Sequence, residues 1–276
     1  MKLALNDCTA RHPAAPASAP AALKGLSLAV PAGAQLAIIG PSGGGKTTLL
    51  QVLACAHRPA SGQLLMDGAN PWALRTAALQ ALRGHLFLAP QVPPLPPRQR
   101  VVTSVLAGRL PQMSLWASLR SLLLPSDTAL AQQALARFDL AEKLFDRVDR
   151  LSGGERQRVG LARLVASTAR LLLVDEPLSA LDPERARQAL AALTDEARAR
   201  GATLVASLHH VEMALQFFPR IVGLRDGALA FDLPASEVTP ALLAELYASH
   251  PEELTGPAPV PDLGLSSTPA VPLQCR

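Results

Sequence analysis

The chain has 276 residues, enough for one large domain or two small ones with a substantial hydrophobic core. Its 49 Ala and 51 Leu favour helices, while Phe, Trp and Tyr together number only nine, which argues against a protein that stacks single-stranded bases. The formal net charge is +4, with 22 Arg against 4 Lys, so the charge balance does not require a nucleic-acid partner.

The cysteines and the length of the apolar runs exclude further classes of protein. Cys8, Cys55 and Cys275 are odd in number, widely spaced and without a Cys-x-x-Cys pair, so we expect no disulfide framework and no zinc site. This usage fits a reducing, cytosolic setting. No apolar run reaches about 18 residues and the first residues do not resemble a signal peptide, so we expect no membrane-spanning helix.

The predicted elements alternate in type along the chain, after a Pro/Ala stretch at 13–20 that resembles a linker. Apolar runs predict strands and helical periodicity predicts helices: strands at 35–39, 63–66, 171–174 and 203–205, and helices at 46–57, 74–82 and 156–166. Such alternation favours an α/β fold with a parallel sheet.

Two further segments interrupt this alternation. Prolines fill five of the eight positions 90–97, which predicts a stiff, exposed connection. Leucines between 114 and 150 have helical spacing broken at Pro125, which predicts an inserted helical subdomain within about 92–165. We expect a single domain over 1–250 and a Pro-rich, disordered tail at 251–276.

A phosphate-binding loop follows the first predicted strand of the alternating pattern. The run Gly40–Thr47 fits G-x-x-x-x-G-K-[ST], with a strand before it and a helix after it. Backbone N–H groups of such a loop surround a β-phosphate, the lysine reaches the β- and γ-oxygens, and the hydroxyl binds Mg²⁺. The predicted nucleotide-binding residues are Gly40, Pro41, Ser42, Gly43, Gly44, Gly45, Lys46, Thr47 and Thr48, with Thr47 also a metal ligand.

An acidic pair follows the predicted strand 171–174. Asp175 and Glu176 stand where a buried parallel strand delivers its carboxyl end, which is where α/β sheets bind ligands. We expect Asp175 to orient Mg²⁺ and Glu176 to polarise the attacking water as general base.

The run Leu151-Ser-Gly-Gly-Glu-Arg-Gln-Arg158 resembles the signature L-S-G-G-[EQ]-x-Q-R of the ATP-binding cassette (ABC) ATPases. Read from the residues alone, Ser152 begins a capped helix. The resemblance implies that Ser152, Gly153 and Gly154 reach across a homodimer to the γ-phosphate of the ATP in the partner's phosphate loop.

Other family elements occur in the expected order, over roughly residues 1–250. The resemblance implies that Gln91 is the Q-loop residue, touching Mg²⁺ and the attacking water, and that Asp182 belongs to the D-loop at the dimer interface. It also implies that His209 is the switch histidine that contacts the γ-phosphate. His210 stands where the family usually has Asp or Gln. The implied fold is a P-loop ABC cassette with a mainly parallel core sheet, an N-terminal antiparallel β portion and an inserted helical subdomain.

One departure concerns the adenine base. The family usually stacks it on an aromatic residue near position 12, but this chain has His12 and no Tyr, Phe or Trp in residues 1–50. We therefore expect weaker stacking, by the imidazole ring, and loose selection of the base.

Several segments after Gln91 resemble the phosphonate importer ATPases in particular, including Leu95–Arg98, Val102–Leu110 and Leu119–Leu122. That likeness implies a cofactor set of ATP and Mg²⁺ and a peripheral location on the cytoplasmic face of the bacterial inner membrane. It also implies separate permease subunits, contacted through 92–100 with Arg98 and Arg100 exposed. A periplasmic solute-binding protein would act indirectly, and we expect no nucleic-acid partner.

Two alternatives stay open from the sequence. The first is the ATPase of another importer or of a lipoprotein-type exporter, since this subunit does not touch the transported solute. The second is an ABC-type ATPase of DNA repair, chromosome organisation or translation. Only 106 residues separate Lys46 from Ser152, without heptads, and only one cassette is present, which argues against the second.

Overall fold

The structure is a computed structural model that describes residues 1–12, 16, 19–123 and 127–255. Nine strands occur in these ranges: β1 (Leu3–Ala10), β2 (Leu23–Val30), β3 (Gln35–Ile39), β4 (Ser61–Met66), β5 (Leu86–Ala89), β6 (Leu171–Asp175), β7 (Thr203–Ser207), β8 (Arg220–Arg225) and β9 (Ala228–Pro234). They form two sheets, and the strands of the larger one determine where the functional residues lie.

The α-helices of the same ranges are α1 (Lys46–Leu53), α2 (Thr76–Arg83), α3 (Val101–Leu106), α4 (Leu115–Leu123), α5 (Thr128–Ala136), α6 (Gly153–Ala166), α7 (Pro183–Arg200), α8 (Val211–Phe217), α9 (Pro240–Leu246) and α10 (Glu252–Thr255). Short 3₁₀ helices connect several of them. No helix in the described ranges is long and apolar enough to cross a membrane.

The larger sheet has the order β5-β6-β7-β3-β8-β9, in which only β9 runs antiparallel to its neighbour. The smaller sheet, β2-β1-β4, is antiparallel. Helices α3 to α6 lie between β5 and β6 in the chain, and α3 and α5 pack on α6. The predicted α/β cassette, with its parallel core, N-terminal antiparallel portion and inserted helices, is confirmed.

The central strands β3, β6 and β7 of the larger sheet are buried on both faces, which explains why they are almost continuously apolar. In β3, Leu36 and Ile38 face the core that contains α1 and the small sheet, whereas Ala37 and Ile39 face the core that contains α6 and α7. Strand β6 alternates in the same way between the two cores. This two-sided burial anchors the strands, so the loops at their carboxyl ends have well-defined positions.

The predicted boundaries were wrong in several places, for local reasons. The helix expected at 46–57 ends at Leu53, because Cys55 adopts a left-handed backbone with φ 53°. The helix expected at 74–82 begins at Thr76, since Pro71–Ala73 form a 3₁₀ turn. The helical region 114–150 contains α4 and α5 and then gives way to 3₁₀ turns, with Asp139 left-handed at φ 52°.

Some sequence expectations fall on residues outside the described ranges. These are most of the linker at 13–20, the break at Pro125 and the tail from residue 256 onward. At the start of the expected tail, Glu252–Thr255 form the short helix α10 rather than a disordered segment.

Gly108 provides a test of how the inserted helices pack. A Cβ added there would lie 2.2 Å from the Arg163 carbonyl oxygen on α6, which forces the two segments apart. We expect Gly108→Ala to lower the free energy of unfolding by about 2 kcal/mol, measured by urea denaturation. Gly153→Ala is the control, because its Cβ would meet only Ala180 Cβ at 4.0 Å. Equal stability of the two variants would contradict this packing.

Candidate nucleotide site

The phosphate loop connects β3 to α1 and depends on glycine at particular positions. Gly40 has φ +146°, and a Cβ there would lie 2.0 Å from the Leu224 carbonyl oxygen on β8. Gly45, immediately before α1, has φ +99°, and its Cβ would lie 2.4 Å from the Ala22 carbonyl oxygen. Both backbone strain and space therefore require glycine here. The result is a tight loop that ends at the N-terminus of a helix, where anions bind.

Lys46 lies at the start of α1 and is buried, with 5% of its surface exposed. Its Nζ donates to the carbonyl oxygens of Gly40 at 2.8 Å and Pro41 at 3.1 Å. Burial lowers the pKa of the Lys46 ammonium, and the nearby carboxylates of Glu176, Glu253 and Asp175 oppose that effect. The ammonium is thus held inside the loop, beside three carboxylates.

A cleft of about 370 Å³ opens over this loop. The described residues that line it are His12, Ala22, Ser42, Gly43, Gly44, Gly45, Lys46, Thr47, Thr48 and Glu176. The structure therefore brings together most of the predicted phosphate loop, one of the two acids and His12.

Asp175 occupies the end of β6, and the neighbouring strand β7 ends beside it at Ser207. The buried Ser207 hydroxyl donates to Asp175 Oδ1 at 2.6 Å, and the Thr47 side chain also hydrogen-bonds the carboxylate. Burial raises the pKa of Asp175, while these two hydrogen bonds oppose the rise. Asp175 and Thr47 thus form a pair of oxygen donors next to the loop.

This donor set fits Mg²⁺. Magnesium usually takes one or two protein oxygens and fills its remaining positions with water and substrate phosphate. Among the described residues no cluster of three or more His, Cys, Asp or Glu side chains could hold a metal. Gln91, the third expected ligand, hydrogen-bonds Glu176, and its role as a metal ligand stays a prediction.

Glu176 is held on both carboxylate oxygens. Gln91 Nε2 donates to Oε2 at 2.6 Å, and His209 Nε2 lies 2.5 Å from Oε1. The Glu176 side chain is only 14% exposed, and its backbone is left-handed at φ 46°, an uncommon conformation for this residue type. Its N–H donates to both the carbonyl and the hydroxyl oxygen of Ser207. Of the three predicted catalytic residues, Gln91 and His209 each contact Glu176 directly.

The signature segment lies elsewhere. Ser152 is the N-cap of α6 and forms a capping box with Glu155: the Ser152 hydroxyl accepts from the Glu155 N–H, and the Glu155 carboxylate accepts from the Ser152 N–H. A Cβ on Gly154 would lie 2.8 Å from the Ala180 carbonyl oxygen, so this segment packs against the D-loop region. Asp182 in that region is the N-cap of α7.

Ser152, Gly153, Gly154 and Asp182 are not among the described residues that line the cleft. The structure therefore separates the expected nucleotide ligands into two groups within one chain. One group forms the phosphate loop and its surroundings, and the other lies at the N-termini of α6 and α7.

Residues that the sequence did not single out also support the site. Ser207 links Asp175 to the Glu176 backbone; its pairing with Asp175 follows from the parallel register of β6 and β7. Gln157 on α6 donates to the Glu176 carbonyl oxygen at 3.4 Å. Tyr247 and Glu253 contact the phosphate loop from the far end of the chain, and no local pattern predicts this.

Comparison with known proteins agrees with this geometry. Residues 23–179 match the family described as ABC transporter. A protein of Polaromonas sp. named phosphonates import ATP-binding protein PhnC is 66% identical over 277 residues, covering 100% of both chains. Phosphonates import ATP-binding protein PhnC 2 of Albidiferax ferrireducens is 65% identical over 277 residues, with the same coverage.

A solved structure shows the same architecture in a dimer. It is a post-hydrolysis state of an ATP-binding cassette bound to ADP and Pi, with a TM-score of 0.71 and 26% sequence identity, covering 84% of this chain and 98% of that one. The chain therefore belongs to the ABC transporter family, as one of its nucleotide-binding ATPases. Within that family it falls in the phosphonate importer ATPase group, which both bacterial relatives represent.

The buried Asp175 carboxylate gives a pH-dependent prediction. Because its pKa is raised in the folded state, the ionised group destabilises folding above that pKa, and this penalty disappears as the pH falls below the unfolded value. We expect Asp175→Asn to raise Tm by about 2–4 °C near neutral pH, corresponding to ~1 kcal/mol, and by less in acid.

Thermal unfolding followed by circular dichroism at two pH values measures this effect. Asp195→Asn is a matched control, because Asp195 is a surface residue on α7 whose ion pair, among the described residues, is with Arg198. A lower Tm for Asp175→Asn than for the wild type at neutral pH would contradict this prediction, because it would show that the ionised carboxylate stabilises the folded protein.

Proposed function

We propose that the chain is the ATP-hydrolysing subunit of an importer that takes up phosphonate or a related oxyanion through separate permease subunits. The observation that carries the catalytic part is the contact of Glu176 with both Gln91 and His209 beside a complete phosphate loop. The full-length similarity to two phosphonate import ATP-binding proteins supports the transported solute.

The first step is binding of ATP by the loop. We assign the phosphates to the loop formed by Gly40, Pro41, Ser42, Gly43, Gly44, Gly45, Lys46, Thr47 and Thr48. Its residues 42–48 line the cleft, while Gly40 and Pro41 hold the Lys46 ammonium through their carbonyl oxygens. Thr47 and Asp175 would hold Mg²⁺, which offsets phosphate charge when bound. His12 lines the same cleft and would stack on the adenine.

Glu176 is then positioned to take a proton from the attacking water. A general base needs to be within hydrogen-bond reach of that water and held in one orientation. The Ser207 contacts fix the Glu176 backbone, while His209 and Gln91 fix its two oxygens. Release of one oxygen, by movement of His209 or Gln91, would free it to accept the proton, so hydrolysis depends on where those two side chains lie.

Complete sites require a second copy of the chain. Ser152, Gly153, Gly154 and Asp182 lie outside the cleft of their own chain, yet the N-terminus of α6 suits an anion. We infer that in a homodimer each signature segment covers the γ-phosphate of the partner's ATP. The similar solved cassette with ADP and Pi is dimeric, which supports a dimer of this chain.

The permease would dock beside Gln91. An apolar groove of about 150 Å³ lies between β5, the Pro-rich segment 90–97 and α6, with Leu88, Pro93, Leu95 and Gly160 among its lining residues. Val92 is 55% exposed at this segment, and Arg98 and Arg100 are also exposed. Closure of the dimer would reach the permease through Gln91, which contacts Glu176 at one end of this segment.

These assignments complete the proposed assembly. It is a peripheral ATPase dimer on the cytoplasmic face of the inner membrane, with permease subunits beside it and a periplasmic solute-binding protein acting only through them. Nucleic acid has no part in it.

Glu176→Gln tests the catalytic assignment. The amide keeps the size of the side chain but cannot accept the proton, so we expect kcat to fall by about 10²–10⁴-fold while ATP binding persists. An ATP-bound dimer should then accumulate, as measured by analytical ultracentrifugation. Glu184→Gln is a control of the same chemistry on the exposed surface of α7. Hydrolysis near the wild-type rate in Glu176→Gln would contradict the role of Glu176.

Growth experiments test the transported solute. Deleting the gene in the host bacterium should abolish growth on a phosphonate as sole phosphorus source and leave growth on phosphate unchanged. The wild-type gene should restore growth, and Lys46→Ala should not, because it removes the buried cation of the loop. Unchanged phosphonate growth after deletion would contradict the phosphonate assignment but leave the ATPase assignment intact.

A further inference from the structure

Two hydrogen bonds connect the C-terminal part of the described chain to the phosphate loop. The Gly40 N–H donates to Tyr247 Oη at 3.0 Å, and the Ser42 N–H donates to Glu253 Oε2 at 2.8 Å. The partners are more than 200 positions apart in sequence. The cassette mechanism described above uses neither contact.

Tyr247 provides the fixed end of this connection. It is the single tyrosine of the chain and is 1% exposed, just after α9. Burial raises its pKa to about 12, so the hydroxyl keeps its proton while its oxygen accepts from Gly40. Arg225 on β8 also donates to the Glu245 carbonyl oxygen at 2.6 Å. The segment that leads to α10 is thus attached to the core beside the loop.

Glu253 places a negative charge on the loop itself. Its carboxylate accepts from the amide of Ser42, a residue that lines the nucleotide cleft, and it lies close enough to oppose the lowering of the Lys46 pKa. Amides of this loop bind anions, and the carboxylate uses one of them. A polyphosphate entering the cleft would meet this charge at short range and compete for the Ser42 amide.

We propose that Glu253 is an intramolecular competitor for the nucleotide phosphates: its carboxylate occupies the phosphate loop of the empty subunit and is displaced when ATP binds. Tyr247 keeps the segment attached, so the carboxylate returns after the phosphates leave. Glu253 therefore sets the nucleotide affinity of each subunit. The proposal rests on nucleotide binding by the loop and not on the identity of the transported solute.

Glu253→Gln tests this competition, because the amide can still accept from Ser42 but carries no charge. We expect isothermal titration calorimetry to show ATP binding about three- to tenfold tighter than in the wild type at low salt, and less so at high salt. The gain should be smaller for ADP and absent for adenosine, which has no phosphate. A purely structural role for Glu253 would not produce this dependence on phosphate number.

Glu252→Gln is the matched control. Glu252 lies on the same short helix and loses the same charge, but its side chain is 71% exposed and contacts His250 rather than the loop. We expect it to leave all three affinities unchanged. Glu253→Ala removes the charge and the acceptor together. It should give the same ranking as Glu253→Gln, with the largest gain in affinity for ATP, a smaller gain for ADP and none for adenosine.

Three results would overturn the proposal. They are ATP binding in Glu253→Gln that is no tighter than in the wild type, an equal change for adenosine and ATP, and an equal gain in Glu252→Gln. A wild-type protein that binds neither ATP nor ADP would refute the nucleotide assignment itself, and the competition with it.

Discussion

The parallel pairing of β6, β7 and β3 is the constraint on which the rest of the site depends. Asp175 pairs with Ser207 across β6 and β7, and Ser207 pairs with Ile38 across β7 and β3. All three strands therefore end at one edge of the sheet, where α/β proteins bind their ligands. The phosphate loop, the acidic pair and the segment with His209 are adjacent for this reason, although they are far apart in sequence.

The site at this edge contains ionisable side chains whose charged forms are disfavoured by burial. Lys46 and Asp175 are both buried, and burial shifts the pKa of each toward its neutral form. Glu176 is held by hydrogen bonds on both oxygens. A bound phosphate would pair with the Lys46 ammonium, and a bound divalent cation would pair with the Asp175 carboxylate.

Local sequence patterns predict the parts of this site that lie within one element. The loop Gly40–Thr47 and the pair Asp175–Glu176 follow apolar strands, and the cap at Ser152 precedes a helix, so neighbouring residues reveal each of them. The fold class follows from the same alternation. Family resemblance, rather than pattern, indicated Gln91 and His209, and the structure brings both onto Glu176.

Other features depend on long-range packing and have no local pattern. Tyr247 and Glu253 reach the loop because α9 and α10 return to it, and nothing near residue 250 indicates this. The helix boundaries at Leu53 and after Ala136 depend on single residues, Cys55 and Asp139, whose left-handed backbone the hydrophobic pattern does not predict. The contacts of Ser207 depend on the register of β6 and β7, and the contact of Gln157 depends on the position of α6.

We infer that each nucleotide site combines one chain's phosphate loop with its partner's signature segment. Mixing two inactive variants, Lys46→Ala and Ser152→Arg, tests it most directly by their rate of ATP hydrolysis. A mixed dimer contains one site with an intact loop from one chain and an intact signature segment from the other. We predict that the mixture recovers hydrolysis that neither variant has alone. A mixture as inactive as its components would contradict the shared site.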